Sequence, residues 1–317
     1  MTMIRSKRVW RTVLIIVAMA VICSFTVSAS PAKPVIGLVM KSLANEFFKN
    51  MEEGALKYTA QQGNFTLIPV GMNSETDIDT QIAAMDNLIT KKVDIIVIAP
   101  ADAVALVPSV KRALDAHIVV VNIDVNLDPD ALNRAGLHNF LFVGPDNTVA
   151  AQMVGDLLAK KLGPGGKVFI IEGNPGASNA AQRKQGFMNS VTKGNLNLLT
   201  SVTAHWETEE ANTVTTNLLT AHPDVQGIMA SNDSEALGVV RALDAAGMTD
   251  KVTVVGFDNI APAQELIKQG KMLATIDQFG QDLAIDGIKV GLQILHGQKL
   301  SGWQKTPVRV ITAAELQ

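Results

Sequence analysis

Five short apolar runs in the sequence each deliver carboxylates, amides or hydroxyls at their carboxyl end. Residues 35–40 lead into Lys41-Ser42-Leu43-Ala44-Asn45-Glu46-Phe47-Phe48, and residues 118–121 into Asn122-Ile123-Asp124. Residues 167–171 lead into Glu172-Gly173-Asn174-Pro175-Gly176-Ala177-Ser178-Asn179, residues 228–230 into Ser231-Asn232-Asp233, and residues 252–257 into Asp258-Asn259. Asn, Asp and Ser are also the usual helix N-caps, so each polar residue alone has a structural reading. Aromatics at the same edge are more telling. Phe47 and Phe48 open a helical pattern, and Trp206 follows a run that ends at Thr203. Amides and acids beside ring faces suit a neutral polyhydroxyl ligand, whose hydroxyls donate and accept while its C–H faces pack on rings.

Bond-making chemistry has little support. There is no Gly-x-Ser-x-Gly elbow, no Walker A motif and no Gly-x-Gly-x-x-Gly. Gly163-Pro164-Gly165-Gly166-Lys167 precedes a strand-like run rather than opening a helix, which makes it a turn. Asp124-x-Asn126-x-Asp128 resembles the start of a calcium loop, but Pro129 and Ala135 stand where glycine and glutamate are needed. The five histidines are scattered without metal-ligand spacing, so neither a metal nor a cofactor is expected, and the protein is read as a binder rather than an enzyme.

Elements that could position these residues are legible from residue 33 onward. Apolar, β-branched runs at 35–40, 66–70, 93–98, 118–123 and 140–143 alternate with helical patterns. In residues 45–62, Phe47, Phe48, Met51, Ala55 and Tyr58 recur near a 3.6 spacing; a second helix is expected from Thr76. A second series runs through 167–171, 198–203, 227–230 and 252–257, with a helix ending at Gly247 as its C-cap. Fully apolar strands alternating with amphipathic helices predict parallel sheets covered on both faces. The expected fold is α/β, with two doubly wound domains, and ligands in such sheets bind beyond the carboxyl ends of the strands. A chain of 317 residues accommodates two such domains.

The start of the chain differs from the rest. Residues 1–12 carry Arg5, Lys7, Arg8 and Arg11 and no acid, followed by an apolar run over 13–27 and the small residues Ser28 and Ala29. This is the pattern of a secretory signal peptide cleaved after Ala29. The run is short for a membrane span, and Val21-Ile22 before Cys23 argue against a lipoprotein site. Removing the segment turns a net charge of -3 into −7 and takes away the single cysteine. An exported, acidic protein without disulfides is expected, with no electrostatic basis for nucleic-acid binding.

The same residues carry a family resemblance. Lys41-Ser42-Leu43-Ala44-Asn45-Glu46-Phe47-Phe48, Ala221-His222-Pro223-Asp224-Val225, Asn232-Asp233-Ser234-Glu235-Ala236-Leu237-Gly238, Val254-Val255-Gly256-Phe257-Asp258 and Ala274-Thr275-Ile276-Asp277-Gln278 resemble periplasmic sugar-binding proteins of the ribose-binding type. These are the substrate-capturing subunits of bacterial ABC importers. The resemblance runs from about Pro34 to Ile311 and implies a type I fold whose domains are joined by three hinge crossings, near Gly144-Pro145, Gln278-Phe279 and Pro307-Val308. It implies an N-terminal domain of residues 33–144 plus 279–306 and a C-terminal domain of 145–278 plus 307–317. The implied ligand contacts are Lys41, Asn45, Phe47, Phe48, Asp124, Asn179, Arg183, Trp206, Asn232, Asp258 and Gln278. Val125, Ala181 and Ala99 stand where ribose binders carry arginine, arginine and asparagine, which argues against ribose itself and leaves another pentose, a hexose or a sugar alcohol open. The resemblance further implies a periplasmic monomer that binds its ligand by hinge closure and docks on a membrane permease. Presenting the ligand, or a signal such as autoinducer-2, to a chemoreceptor or sensor kinase is the alternative output; a secreted sugar-modifying enzyme and a DNA-binding regulator fit less well.

Overall fold

Strand formation follows the β-branched runs closely. A computed structural model describes residues 33–317; the export segment expected over residues 1–29 lies outside the described residues. The first sheet contains β1 (Val35–Ser42), β2 (Thr66–Met72), β3 (Ile95–Ile98), β4 (Val119–Ile123), β5 (Phe142–Gly144) and β11 (Trp303–Lys305). The second contains β6 (Lys167–Glu172), β7 (Asn197–Thr203), β8 (Gly227–Ala230), β9 (Thr253–Val255), β10 (Ala274–Asp277) and β12 (Arg309–Thr312). All pairings are parallel except that of β12 with β10.

Both sheets use one order, β2-β1-β3-β4-β5-β11 and β7-β6-β8-β9-β10-β12. The order reverses between β1 and β3 in one lobe and between β6 and β8 in the other, which is where a doubly wound sheet opens a crevice. The central strands β3 and β8 are buried along their whole length, as strands covered on both faces must be. The chain passes from the first sheet to the second between Gly144 and Asn147, returns between Asp277 and Gly280, and crosses again between Lys305 and Arg309.

Helices start and stop where local chemistry directs. Helix α1 (Glu46–Gln62) is capped by Asn45, whose side chain accepts the Phe47 N–H, and ends at Gly63 in the left-handed region at φ 63°. Helix α2 (Ile78–Thr90) is capped by Asp77 rather than the expected Thr76, because the Asp77 carboxylate accepts the Thr80 N–H. The helices that follow are α3 (Val107–Asp115), α4 (Pro129–Arg134), α5 (Asn147–Leu162), α6 (Ser178–Lys193), α7 (Thr208–Ala221), α8 (Asp233–Ala246), α9 (Ala261–Lys268) and α10 (Gly280–Leu295). Helix α8 carries a full capping box between Asn232 and Glu235 and ends at Gly247, φ 64°. No helix among the described residues is long and apolar enough to cross a membrane.

The lobes meet across the carboxyl ends of their strands. Hydrogen bonds span the meeting line: Ala103 N to Gly176 O at 2.8 Å, Ser178 Oγ to Asn126 O at 2.6 Å, Asn174 Nδ2 to Ala101 O at 3.3 Å, and Glu75 N to a Glu207 carboxylate oxygen at 3.2 Å. A small apolar cluster of Ala103, Val125, Ala177, Ala180 and Trp206 closes the same lip. These contacts describe a closed cleft.

Candidate functional site

Between the closed lobes lies a cavity lined by Lys41, Asn45, Phe47, Phe48, Glu75, Asp124, Asn179, Arg183, Trp206, Asn232, Asp258 and Gln278. The structure thus gathers every ligand contact that the resemblance implies into one cavity. It adds Glu75, which sequence reading missed.

The first lobe's wall comes from three strand ends and one helix start. Lys41 is the penultimate residue of β1 and is 3% exposed; its Nζ stands 3.3 Å from Glu75 Oε2 and 3.7 Å from Asp124 Oδ2. Asp124 follows β4 at φ 62°, a conformation that Asp and Asn tolerate better than other side chains. Glu75 belongs to the loop after β2 and takes a 2.8 Å bond from Asn45 Nδ2. Phe47 and Phe48 pack edge to face at 5.0 Å, and both line the cavity. Asn45 is both a cap and a wall: its Oδ1 accepts Phe47 N and, across the cleft, the Ser234 hydroxyl.

The second lobe's wall is built around one buried guanidinium. Arg183 is 2% exposed, donates from Nε to Asn147 and from Nη1 to the Ser231 carbonyl, and lies 3.7 Å from the Asp258 carboxylate. Its plane rests 3.6 Å from the Phe257 ring centre. Ala181 is solvent-exposed, so an arginine there would face away from the cavity; Arg183 is the guanidinium the helix turns inward. Val125 is buried in the apolar lip. Trp206 has Lys41 at 5.5 Å and Arg183 at 5.3 Å from its ring, so two cations already engage its π face. Asn232 caps α8 and donates to the Trp206 carbonyl, while Gln278 donates to Asp258 at 2.7 Å.

Behind the wall, acids hold the backbone. Glu235 accepts the Trp206 and Asn232 N–H groups, and Asp233 accepts the Ile260 N–H and the Thr275 hydroxyl. Burial pushes Glu235 up to about 8 and Asp233 up to about 6, against those hydrogen bonds. Burial also holds Asp258 well above its ordinary value, with Arg183 opposing, and raises Glu75, with Lys41 opposing.

Below the ordinary values of 3.8 and 4.5 both states hold the protons of Asp233 and Glu235. As pH climbs past them the unfolded chain ionises first, so stability falls until the folded values of about 6 and about 8 are passed. The urea midpoint is expected to drop between pH 5 and pH 8, and Glu235→Gln to flatten that slope; an unchanged slope in the variant would contradict the assignment.

Trp206 is seated by a glycine. A Cβ on Gly173 would lie 2.2 Å from the indole ring. Gly173→Ala should therefore displace the ring and weaken ligand binding roughly tenfold or more, since overpacking of this kind costs roughly 1–3 kcal/mol. Titration calorimetry of the variant checks it; unaltered affinity would mean Trp206 is not part of the binding surface.

Chemically, the cavity is rich in unused acceptors. Glu75 Oε2, Asp124 Oδ2, Asn179 Oδ1 and Gln278 Oε1 are buried without a hydrogen-bond partner, and Trp206 Nε1 is a matching unused donor. Among the described residues no group of three or more His, Cys, Asp or Glu is arranged to hold a metal ion.

Comparison with known proteins gives a consistent picture. A family model described as a periplasmic binding protein domain matches residues 36–299. The chain is 45% identical, over 90% of each sequence, to a D-ribose/D-allose-binding protein of Pseudomonas aeruginosa. Among solved structures it resembles an ABC transporter solute-binding protein from Burkholderia multivorans, at 44% identity and TM-score 0.85, covering 88% of this chain and 99% of the other. It also resembles an Actinobacillus succinogenes ABC transporter periplasmic solute-binding protein with bound D-allose, at 38% identity and TM-score 0.85, covering 90% and 99%.

Proposed function

As the chain belongs to the periplasmic binding protein family, we propose that it captures one neutral monosaccharide or sugar alcohol by closing its two lobes around it. It then hands the ligand, chemically unchanged, to the membrane permease of an ABC importer. The observation that carries this reading is the set of unpartnered acceptors on Glu75, Asp124, Asn179 and Gln278, with Trp206 Nε1 as donor. Buried polar atoms need partners, and several acceptors converging on one enclosed cavity call for a small molecule rich in O–H groups. Three carboxylates in the lining oppose an anion such as a sugar phosphate or sugar acid.

Aldoses of the ribose and allose type are the first ligands to try. The Pseudomonas relative is named for D-ribose and D-allose, and the Actinobacillus structure holds D-allose. Arg183 inside the cavity supplies a guanidinium that Ala181 does not, so ribose belongs on that panel. The ligand-contact set is the cavity lining itself. The three passages between the sheets act as the hinge, giving domains of 33–144 plus 279–306 and 145–278 plus 307–317. Residues 1–29 serve as the export signal that takes the protein to the periplasm, where it works as a monomer.

Calorimetric titration of the protein lacking residues 1–29 against pentoses, hexoses, polyols and matched sugar phosphates tests the reading. One-to-one binding of at least one neutral sugar, micromolar or tighter (about −8 kcal/mol or better), with no binding of the phosphates, is expected. Binding of none, or preference for the anions, would overturn it.

A further inference from the structure

We propose that Glu75 is a specificity-determining residue that reads a single ligand hydroxyl together with Lys41. The proposal rests on the sugar-binding reading above and deepens it. Glu75 is 1% exposed and held from three sides: Asn45 Nδ2 donates to Oε1 at 2.8 Å, Lys41 Nζ stands 3.3 Å from Oε2, and its own N–H reaches Glu207 across the closed cleft at 3.2 Å. The carboxylate therefore can neither swing away nor reach water. Yet Oε2 has no hydrogen-bond partner, and Asp124 Oδ2, 3.7 Å from the same Lys41 Nζ, is in the same condition.

A buried ammonium facing two buried carboxylate oxygens, neither of which has a hydrogen-bond partner, is an arrangement that lacks a third participant. A hydroxyl fits. It donates its proton to Glu75 Oε2 and accepts one from Lys41 Nζ, so both charges are satisfied at once. A methylene at the same position can do neither and leaves Glu75 Oε2 without a hydrogen bond. Sites built to bond a hydroxyl reject analogues that lack it far more strongly than apolar pockets reject an extra methylene. The first-lobe corner formed by Lys41, Glu75 and Asp124 thus distinguishes a sugar from its deoxy analogue at one carbon, while the other contacts distinguish elsewhere.

Wild type, Glu75→Gln and Glu75→Asp are titrated with D-ribose, D-allose and their monodeoxy analogues, with thermal melts as a folding control. Wild type is expected to lose roughly 100-fold or more in affinity for one analogue in the series. Glu75→Gln keeps the shape but lacks the ionised acceptor, and Glu75→Asp withdraws it by one methylene. Both should bind the parent sugar more weakly and shrink the discrimination at that same carbon to a few-fold, leaving the other analogues ranked as before. Parent-sugar binding with wild-type discrimination at every carbon in either folded variant would overturn the role of Glu75 and leave the sugar reading standing. Absence of binding by wild type to every compound would overturn both.

Discussion

Asp124→Ala is expected to weaken sugar binding by about 100-fold or more while the sugar-free protein remains folded. The carboxylate is buried, its Oδ2 has no partner within the protein, and Lys41 is its neighbour at 3.7 Å. Hydrogen bonds to a charged group contribute roughly 1.5–3 kcal/mol, and two ligand hydroxyls can meet this one side chain. The fold loses less, since Lys41 keeps Glu75 at 3.3 Å. Asp124→Asn separates charge from shape. Asparagine tolerates the φ of 62° that alanine resists, and it retains one oxygen acceptor, so its loss should be the smaller of the two. Equal affinity of wild type and Asp124→Ala, measured by calorimetry, would remove Asp124 from the site.

Arg183→Met is expected to cost stability and binding together. The guanidinium neutralises Asp258, ties Asn147 on one helix to the Ser231 carbonyl beyond β8, and stacks on Phe257. Removing one partner of a buried ion pair costs roughly 3–5 kcal/mol, because the other charge is left buried and unpaired. For a protein of this size that corresponds to a fall in melting temperature on the order of 10 °C. Burial already holds Asp258 well above its ordinary pKa with Arg183 opposing, so losing Arg183 raises it further. Arg183→Lys should rescue little, since a point charge cannot reproduce the fork to Asn147 and Ser231 or the planar stack. A melting temperature within a degree of wild type would show that the guanidinium carries no structural load.

Much of this arrangement is legible in the sequence because a parallel sheet leaves a plain signature. Runs of Val and Ile mark strands buried on both faces, and the residues after them fall at the carboxyl edge by geometry. That reasoning places Lys41, Asp124, Asn179, Asn232 and Asp258 on one rim, which is where the structure has them. The competition between capping and binding has a mixed answer. Asn232 is a full cap whose amide is spent on Glu235 and Trp206, and Asn45 caps α1 while lining the cavity. Phe47 and Phe48 both line it.

Glu75 escaped because the second apolar run reads as ending at residue 70. Strand β2 continues through Gly71 to Met72, so Asn73-Ser74-Glu75 forms its carboxyl-end loop. Pro69 and Gly71 weaken the strand signal, and pairing with β1 overrides it. Strands β11 and β12 were equally hidden. They are short, mostly polar edge strands held by neighbours distant in sequence, as when the Trp303 indole N–H bonds the Gly144 carbonyl. Local periodicity carries no trace of such partners.

Closure around a sugar is read by small-angle X-ray scattering of the protein lacking residues 1–29, with and without the tightest-binding neutral sugar. The account predicts a contraction on adding sugar to wild type, as lip contacts such as Ala103 to Gly176 and Glu75 to Glu207 form, and no contraction in Asp124→Ala at the same concentration. Identical scattering of wild type with and without saturating sugar would contradict it.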